Sequence, residues 1–429
     1  MKPRKRGDSY TFTVSCGRDI YGKQIREHMT WKPEPGLTPA QEKKAVEKAY
    51  QEFVRRVENG QAMEGRKITL KEFADRWLEE VAAQRLEAKT VSGYRKELED
   101  KSLPALGHLK LSELRPHTLN SFFVGMTKDG ARKDGKPGGY SKGTITKTRN
   151  VLSSVLTTAA EWEIIERNPL DNVRLQAKES AADKVKFFTP AQAATFLEYI
   201  EQPYTVQTAG HKRVDDTGKP YKVGDYTTQK EIPEQIRVLF NLAIYAGLRK
   251  GELLALEWSD IDFEADTVSV TKAVTVVDGQ QTTKAPKTKT SRRVVSIPHF
   301  LTQRIRGLRA ERSRYRLSLG DYWKGASWVF IQADGKQMCY STPYSAFQDT
   351  LARYNAGRPV ADQLPAIPFH GLRHTSATLL IASKQDVRTV SSRLGHAQAS
   401  TTMNIYAHAL QETDRKAANA LENLLVKQA

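Results

Sequence analysis

Three threonines divide this chain into helix-bearing segments. Thr38-Pro39-Ala40-Gln41 and Thr69-Leu70-Lys71-Glu72 each put a threonine N-cap three residues ahead of a Gln or Glu, the reciprocal arrangement that opens a helix, and Thr189-Pro190 is a third helix start. Behind the first, Val46, Ala49, Tyr50, Phe53, Val54 and Val57 recur at helical spacing until Asn59-Gly60 stops them. Behind the second, Phe73, Trp77 and Val81 run down one face. A chain of 429 residues holds roughly two to four domains at about 100–200 residues each, and the three starts fit that number.

The segments differ in kind. Tyr10 to Cys16 alternates apolar and polar, the period of a half-buried strand, and Ile25, Met29 and Trp31 line one face of a second strand. Residues 1–66 therefore read as a small basic sheet-plus-helix module. Residues 67–178 read as all-helical, with helices around Tyr94, around Phe122 and Phe123, and from Val151 to Trp162. Lys128 to Gly143 is a Gly- and Lys-rich loop, and Asn168-Pro169 ends the last helix, since the residue before Pro is pushed out of the helical region. Residues 179–187 form a linker, and a larger mixed domain occupies 186–429. Within it Tyr204 to Lys230 reads as a surface insertion or long loop, Ile236 to Tyr245 as a buried helix ended by Gly247, and Val268 to Val277 with Arg293 to Ile297 as a small antiparallel sheet around a basic turn. The expected fold class is α+β, mainly helical with small sheets.

Lys and Arg number 67 against 49 Asp and Glu, a net charge of +18, which calls for a polyanionic partner. The basic residues are spread along the chain instead of forming one amphipathic stripe, so nucleic acid fits better than a membrane surface. No run approaches the ~18 apolar residues of a membrane span, and no apolar region follows the basic start, so no secretory signal is read there. Two distant cysteines, Cys16 and Cys339, fit a reducing cytosol better than a disulfide framework. DNA contacts are expected from Lys2, Arg4, Lys5 and Arg6 at the start of the chain and from Lys289, Arg292 and Arg293 in the basic turn.

Four constellations carry chemistry. In Ala246-Gly247-Leu248-Arg249-Lys250-Gly251-Glu252-Leu253, Arg249 stands at a helix start, where the dipole disfavours a cation unless an anion such as phosphate is also present. In Pro286-Lys287-Thr288-Lys289-Thr290-Ser291-Arg292-Arg293, a lysine on a turn can enter a groove and donate a proton. His370-Gly371-Leu372-Arg373-His374 and Leu394-Gly395-His396 supply a planar guanidinium and imidazoles that suit a phosphate. Three histidines also read as a zinc set, but Arg373 is interleaved and no carboxylate completes a HExxH pattern, so no metal is assigned; His374 reads as a packed structural histidine. Tyr406 follows ten residues after His396. Together these can stabilise a phosphodiester in its transition state and attack it covalently. No Walker motif or acidic metal cluster is seen, and no cofactor is expected.

In that order, AGLRKGELLAL, PKTKTSRR, HGLRH, LGH and Tyr406 resemble the tyrosine recombinases, or phage-integrase family. The resemblance implies that Arg249 and Arg373 clamp the scissile phosphate, His370 and His396 assist by hydrogen bonding and proton transfer, and Tyr406 is the nucleophile. Lys287 best fits the Pro-Lys-Thr pattern of the general acid, with Lys289 the alternative. Many relatives carry Trp where His396 stands, so that side chain serves by packing as much as by chemistry. The resemblance further implies an arm-type DNA-binding module over 1–66, a core-binding domain over 67–178 and a catalytic domain over 186–429. It implies double-stranded attachment-site DNA as substrate, a homotetramer exchanging strands through a Holliday junction, an accessory directionality or DNA-bending protein, and a bacterial cytoplasmic setting without membrane attachment. The layout is similar to integrases of phages or integrative conjugative elements. A type IB-like topoisomerase and a non-catalytic DNA-binding regulator are the competing readings; exchange between two sites separates the first, and the need for Tyr406 the second. Ala417, Leu421, Leu424 and Leu425 form an apolar stripe on an expected tail helix over 410–427, which docks on its own domain or on a neighbouring protomer.

Overall fold

The computed structural model describes residues 3–18, 24–58, 68–175, 186–214, 216, 218–285, 292–395 and 422. The chain divides into two compact units, residues 1–184 and 185–429. Mainly helical with small sheets, it has the fold class expected from the sequence.

In the first unit, β1 (Arg4–Arg6), β2 (Ser9–Arg18) and β3 (Gln24–Trp31) form an antiparallel sheet in that order. The alternation works as read: Tyr10, Phe12 and Val14 of β2 face the same side as Met29 and Trp31 of β3, and there they meet Val46, Ala49, Tyr50, Phe53 and Val57 of α1 (Pro39–Glu58). The helix opens at Thr38, whose backbone N–H donates to Gln41 Oε1 at 3.0 Å. The stop at Asn59-Gly60 lies outside the described residues.

A separate apolar core joins α2 (Leu70–Trp77), α3 (Ala88–Glu97), α4 (Leu103–Leu106), α5 (Pro116–Met126) and α6 (Lys142–Glu161). The Thr69–Glu72 capping box is complete. Trp77 stands in the core with its indole N–H donating to Thr158 Oγ1 at 2.9 Å, so its polar edge is satisfied where it is buried. Two five-residue π turns, Leu78–Ala82 and Leu98–Ser102, widen the helical path, which a 3.6-residue pattern does not reveal. α6 stops at Glu161, beside the expected Trp162, but the stop signal is a correction: Asn168-Pro169 does not end this helix, and Glu163 just after it takes a positive φ of 58°. Asn168 instead caps a short 3-10 turn, Pro169–Asn172, accepting from the Leu170 N–H at 3.0 Å.

The second unit is built on α8 (Glu234–Tyr245), an apolar helix buried on nearly all sides. Phe240 meets Phe196 of α7 (Pro190–Tyr199), Phe347 and Phe369, and Phe188 closes the same aromatic cluster. Tyr204 to Lys230 is not a loop. It is one long hairpin of two successive ladders: β4 (Tyr204–Thr208) pairs with β7 (Tyr226–Lys230), and β5 (His211–Val214) with β6 (Pro220–Val223). The outer strand β7 is exposed at every residue, so apolar alternation has no core to report and the sequence signal is lost. The run Val268 to Val277 is likewise divided. β8 (Ile261–Asp262), β9 (Thr267–Val270) and β12 (Arg293–Ser296) form one sheet, whereas β10 (Ala273–Val277) pairs with β11 (Gln280–Lys284) in a hairpin of its own. The polar sequence of β11, Gln-Gln-Thr-Thr-Lys, hid that strand. Then come α9 (Lys250–Leu254), lying between α8 and β8, and α10 (His299–Leu319), α11 (Thr342–Asn355), α12 (Gly371–Ala382) and α13 (Val387–Leu394). The expected linker over 179–187 and the tail helix over 410–427 lie outside the described residues, save for positions 186, 187 and 422.

Candidate active site

The site begins with a glycine. α8 ends at Tyr245, and the chain must turn within the four residues 246–249 to start α9. Gly247 does this at φ +63°, a conformation costly for other residues. A Cβ there would also stand 2.5 Å from Leu394 Cδ2 and 3.1 Å from Ser376 Oγ, so shape and conformation both require glycine. The reversal leaves Arg249 as the N-cap of α9. Arg249 has no hydroxyl to cap the helix, but Glu252 at N3 makes the return half of a capping box, accepting from the Arg249 backbone N–H at 2.9 Å.

Arg249 and Arg373 meet at the end of α13. The last carbonyls of a helix lack partners within it and carry the negative end of its dipole, which favours cations. Arg373 donates from Nη2 to the Leu394 carbonyl, and Arg249 donates from Nη2 to the next carbonyl, Gly395 O, at 2.9 Å. Arg373 also donates from Nη1 to Gly247 O at 2.6 Å. Gly395 closes α13 in the left-handed region at φ +66°. Two segments far apart in sequence thus grip one turn, whose next residue in the chain is His396. The two arginines differ in exposure. Arg373 is 1% exposed, whereas the Arg249 side chain is 37% exposed and faces solvent.

His370 caps α12 one turn from His374, and the two rings stack edge to face with centroids 4.9 Å apart. The pKa of His370 is lowered to about 4, first by the protein that displaces water around the ring and then by the charges of Arg373 and Arg249. The residue as a whole stays exposed to solvent, so the desolvation acts from one side only. A neutral imidazole therefore stands beside two guanidinium groups at pH 7, able to accept a proton.

Below them lies an ion cluster that the motifs did not announce. Glu252, 5% exposed, accepts from Arg249 Nη1 at 2.8 Å and from Arg293 Nη1 and Nη2 at 3.1 and 2.8 Å. Burial pushes its pKa up, but the hydrogen bonds and charge of Arg293, then those of Arg249, outweigh this and hold it below the ordinary value. Arg293 departs from the expectation of a DNA contact. Its side chain is 7% exposed, its Nε donates to Arg393 O at 2.7 Å, and its position in β12 turns it inward. Losing one partner of such a buried pair costs about 3–5 kcal/mol, because the other charge is left unsatisfied. The signal for Glu252 was present in the sequence as a glutamate three residues after Arg249, the capping-box spacing without its threonine. Nothing local distinguished Arg293 from Arg292, which is exposed.

The other expected residues fall in two groups. Arg4 and Arg6 are exposed, and Lys5 is paired with Glu42 at 2.8 Å. Lys287, Lys289, His396, Tyr406 and Lys2 lie outside the described residues. Among the described residues no group of three His, Cys, Asp or Glu side chains is placed to hold a metal ion, and no helix is long and apolar enough to cross a membrane.

Residues 223–413 match the model of the phage integrase family, and residues 69–125 match that of the phage integrase N-terminal SAM-like domain. A tyrosine recombinase XerC-like protein of Caldanaerobacter subterraneus is 26% identical over 97% of this chain and 96% of its own length. The ICEBs1 integrase of Bacillus subtilis is 28% identical over 67% of each chain. Among solved structures, the Tn1549 transposon integrase in complex with transposon right end DNA superposes with a TM-score of 0.64 at 19% identity, over 83% of this chain and 100% of that one. A lambda integrase dimer bound to a core site gives 0.51 at 16% identity, over 79% and 95%.

Proposed function

Because the chain belongs to the phage integrase family, the tyrosine recombinases, we propose that it integrates and excises a mobile element by cleaving and rejoining double-stranded DNA through a covalent 3′-phosphotyrosyl link to Tyr406. The observation that carries this reading is the convergence of Arg249 and Arg373 on the turn that leads into His396, with a neutral His370 that feels the charge of both.

The phenolic oxygen of Tyr406 forms a bond to the scissile phosphorus as the bond from phosphorus to the 5′ oxygen breaks. His370, held neutral, takes up the tyrosine proton or its hydrogen bond, and His396 assists by packing and hydrogen bonding. Lys287, or Lys289 two residues on, gives a proton to the departing 5′ oxygen. The charge that builds on the non-bridging oxygens is met by Arg249 through its exposed guanidinium. Arg373, buried behind it, adds its charge, already felt at His370, and braces the Gly247 and Leu394 carbonyls. The phosphotyrosyl bond retains the energy of the phosphodiester, so a free 5′ hydroxyl of another strand reverses the step without ATP.

DNA is the substrate and partner. Residues 1–66 bind distal arm sites, residues 67–178 and 186–429 bind the core site, four protomers exchange strands, and an accessory protein sets direction. The relevant precedent for assembly is a lambda integrase tetramer bound to a Holliday junction, which superposes at a TM-score of 0.50. The test is a nicked suicide duplex carrying the crossover site. The wild-type chain is expected to form a covalent adduct, and Tyr406→Phe to bind the duplex equally well and form none. An adduct with Tyr406→Phe would refute the assignment.

A further inference from the structure

A carboxylate next to a phosphate-binding arginine poses an electrostatic problem, since it competes with the phosphate for the same guanidinium. Glu252 lies 2.8 Å from Arg249 Nη1 and also accepts the Arg249 backbone N–H. It is useful as an anchor and harmful as a counter-charge. We propose that Arg293 is a positioning residue that acts as the counter-ion of Glu252, so that Glu252 orients Arg249 while the charge of Arg249 remains available to the scissile phosphodiester. This inference rests on the reading of Arg249 as the phosphate-binding residue.

The geometry of the cluster supports the division of labour. Arg293 meets Glu252 with two donors, at 2.8 and 3.1 Å, whereas Arg249 meets it with one guanidinium nitrogen. Arg293 and Glu252 are buried to similar depth, at 7% and 5% exposure, but the Arg249 side chain is open at 37%. The charge pair is thus closed within the protein, and the second arginine points to solvent. Arg293 is also seated from the other side. Its Nε donates to Arg393 O, and a Cβ on Gly395 would stand 3.0 Å from its Nη1, so the glycine at the end of α13 leaves room for it. Arg393, whose Nη2 donates to the Tyr245 and Ser296 carbonyls, faces Arg293 as a like charge and leaves the carboxylate to it. One side chain of β12 therefore ties together the start of α9, which carries Arg249, and the end of α13, whose carbonyls Arg249 and Arg373 hold.

The experiment uses the full chain and a nicked suicide duplex carrying the crossover site of its own element. It reads the single-turnover rate of adduct formation at saturating protein and, separately, the affinity for an uncleaved half-site. Arg293→Met is expected to slow cleavage by about 10²-fold, the effect of losing one preorganised donor, with little change in affinity. The distinguishing variant is the double substitution Arg293→Met with Glu252→Gln. Removing the carboxylate's charge removes the need for a counter-ion, so the double variant is expected to cleave at least about tenfold faster than Arg293→Met. Because Glu252→Gln also relieves the stability cost of a stranded buried carboxylate, the unfolding midpoints of both variants are measured beside the rates, and the rescue counts only where the Arg293→Met protein is folded and binds the half-site with wild-type affinity yet cleaves slowly. Arg293→Lys, which keeps the charge and loses the fork, is expected to stay within about tenfold of wild type. If Arg293→Met fails to fold, Arg293→Gln replaces it as the neutral variant. A double variant no faster than the single, or Arg293→Lys as slow as the neutral variant, overturns the inference while an active wild type leaves the tyrosine mechanism standing. A wild-type chain that forms no adduct overturns both.

Discussion

Gly247 is the position where the fold and the site depend on the same atom, the hydrogen in place of a Cβ. Replacing it with alanine has two costs. Its φ of +63° is left-handed, which for a residue with a Cβ costs about 1–2 kcal/mol. The new methyl would also stand 2.5 Å from Leu394 Cδ2, a side chain that is 0% exposed and cannot swing into solvent, and overpacking of that kind costs about 1–3 kcal/mol. The expected loss is therefore about 2–5 kcal/mol. The same displacement moves the Gly247 carbonyl away from Arg373 Nη1 and the end of α13 away from Arg249, so surviving protein should also cleave more slowly. The two costs can be separated with Leu394→Ala. Alone it should cost about 2–5 kcal/mol as a buried leucine deletion. Combined with Gly247→Ala it should cost less than the sum by about 1–3 kcal/mol, because the removed leucine makes room for the methyl, while the backbone penalty remains. Since the chain has two units, stability is best read by pulse proteolysis in urea, with fragments of residues 185–429 followed by mass spectrometry. A loss below about 1 kcal/mol for Gly247→Ala, or strict additivity with Leu394→Ala, would refute the close-approach argument.

Arg249→Ala should slow adduct formation by about 10²–10³-fold and Arg249→Lys should recover little, since a point charge cannot serve Glu252, the Gly395 carbonyl and a phosphate together; near wild-type cleavage by either would exclude Arg249 from the clamp. Lys287→Ala should be rescued by a substrate with sulfur in place of the bridging 5′ oxygen, a leaving group that needs no acid, and rescue of Lys289→Ala alone would move the role two residues along. His370 should titrate near 4 in the free protein by NMR, and a midpoint at the ordinary value of 6.5 would show that neither burial nor the Arg373 and Arg249 charges act on the ring. Because the unfolded chain takes up this proton below 6.5 and the folded chain only near 4, stability associated with His370 is present above 6.5 and is lost as pH falls between those values.

Local signals carried much of this protein. The capping threonines Thr38, Thr69 and Thr189 open helices where they stand, because a cap is satisfied within three residues and needs no distant partner. The alternation of Tyr10, Phe12 and Val14 placed a strand because one face is buried on α1 and the other is not. The motifs around Arg249 and Arg373 were legible for the same reason, since each is a short local pattern, and the fold brings both arginines onto the turn after Leu394. What failed was whatever depends on the absence of a core. The exposed strand β7 and the polar strand β11 carry no hydrophobic period. Charge was the other quantity that sequence could not assign. Arg292 and Arg293 are identical neighbours, yet strand geometry turns one to solvent and the other inward onto Glu252, 41 residues away. Whether an arginine binds DNA or holds a carboxylate is decided by which groups surround it, and that environment exists only once β12, α9 and α13 have packed together.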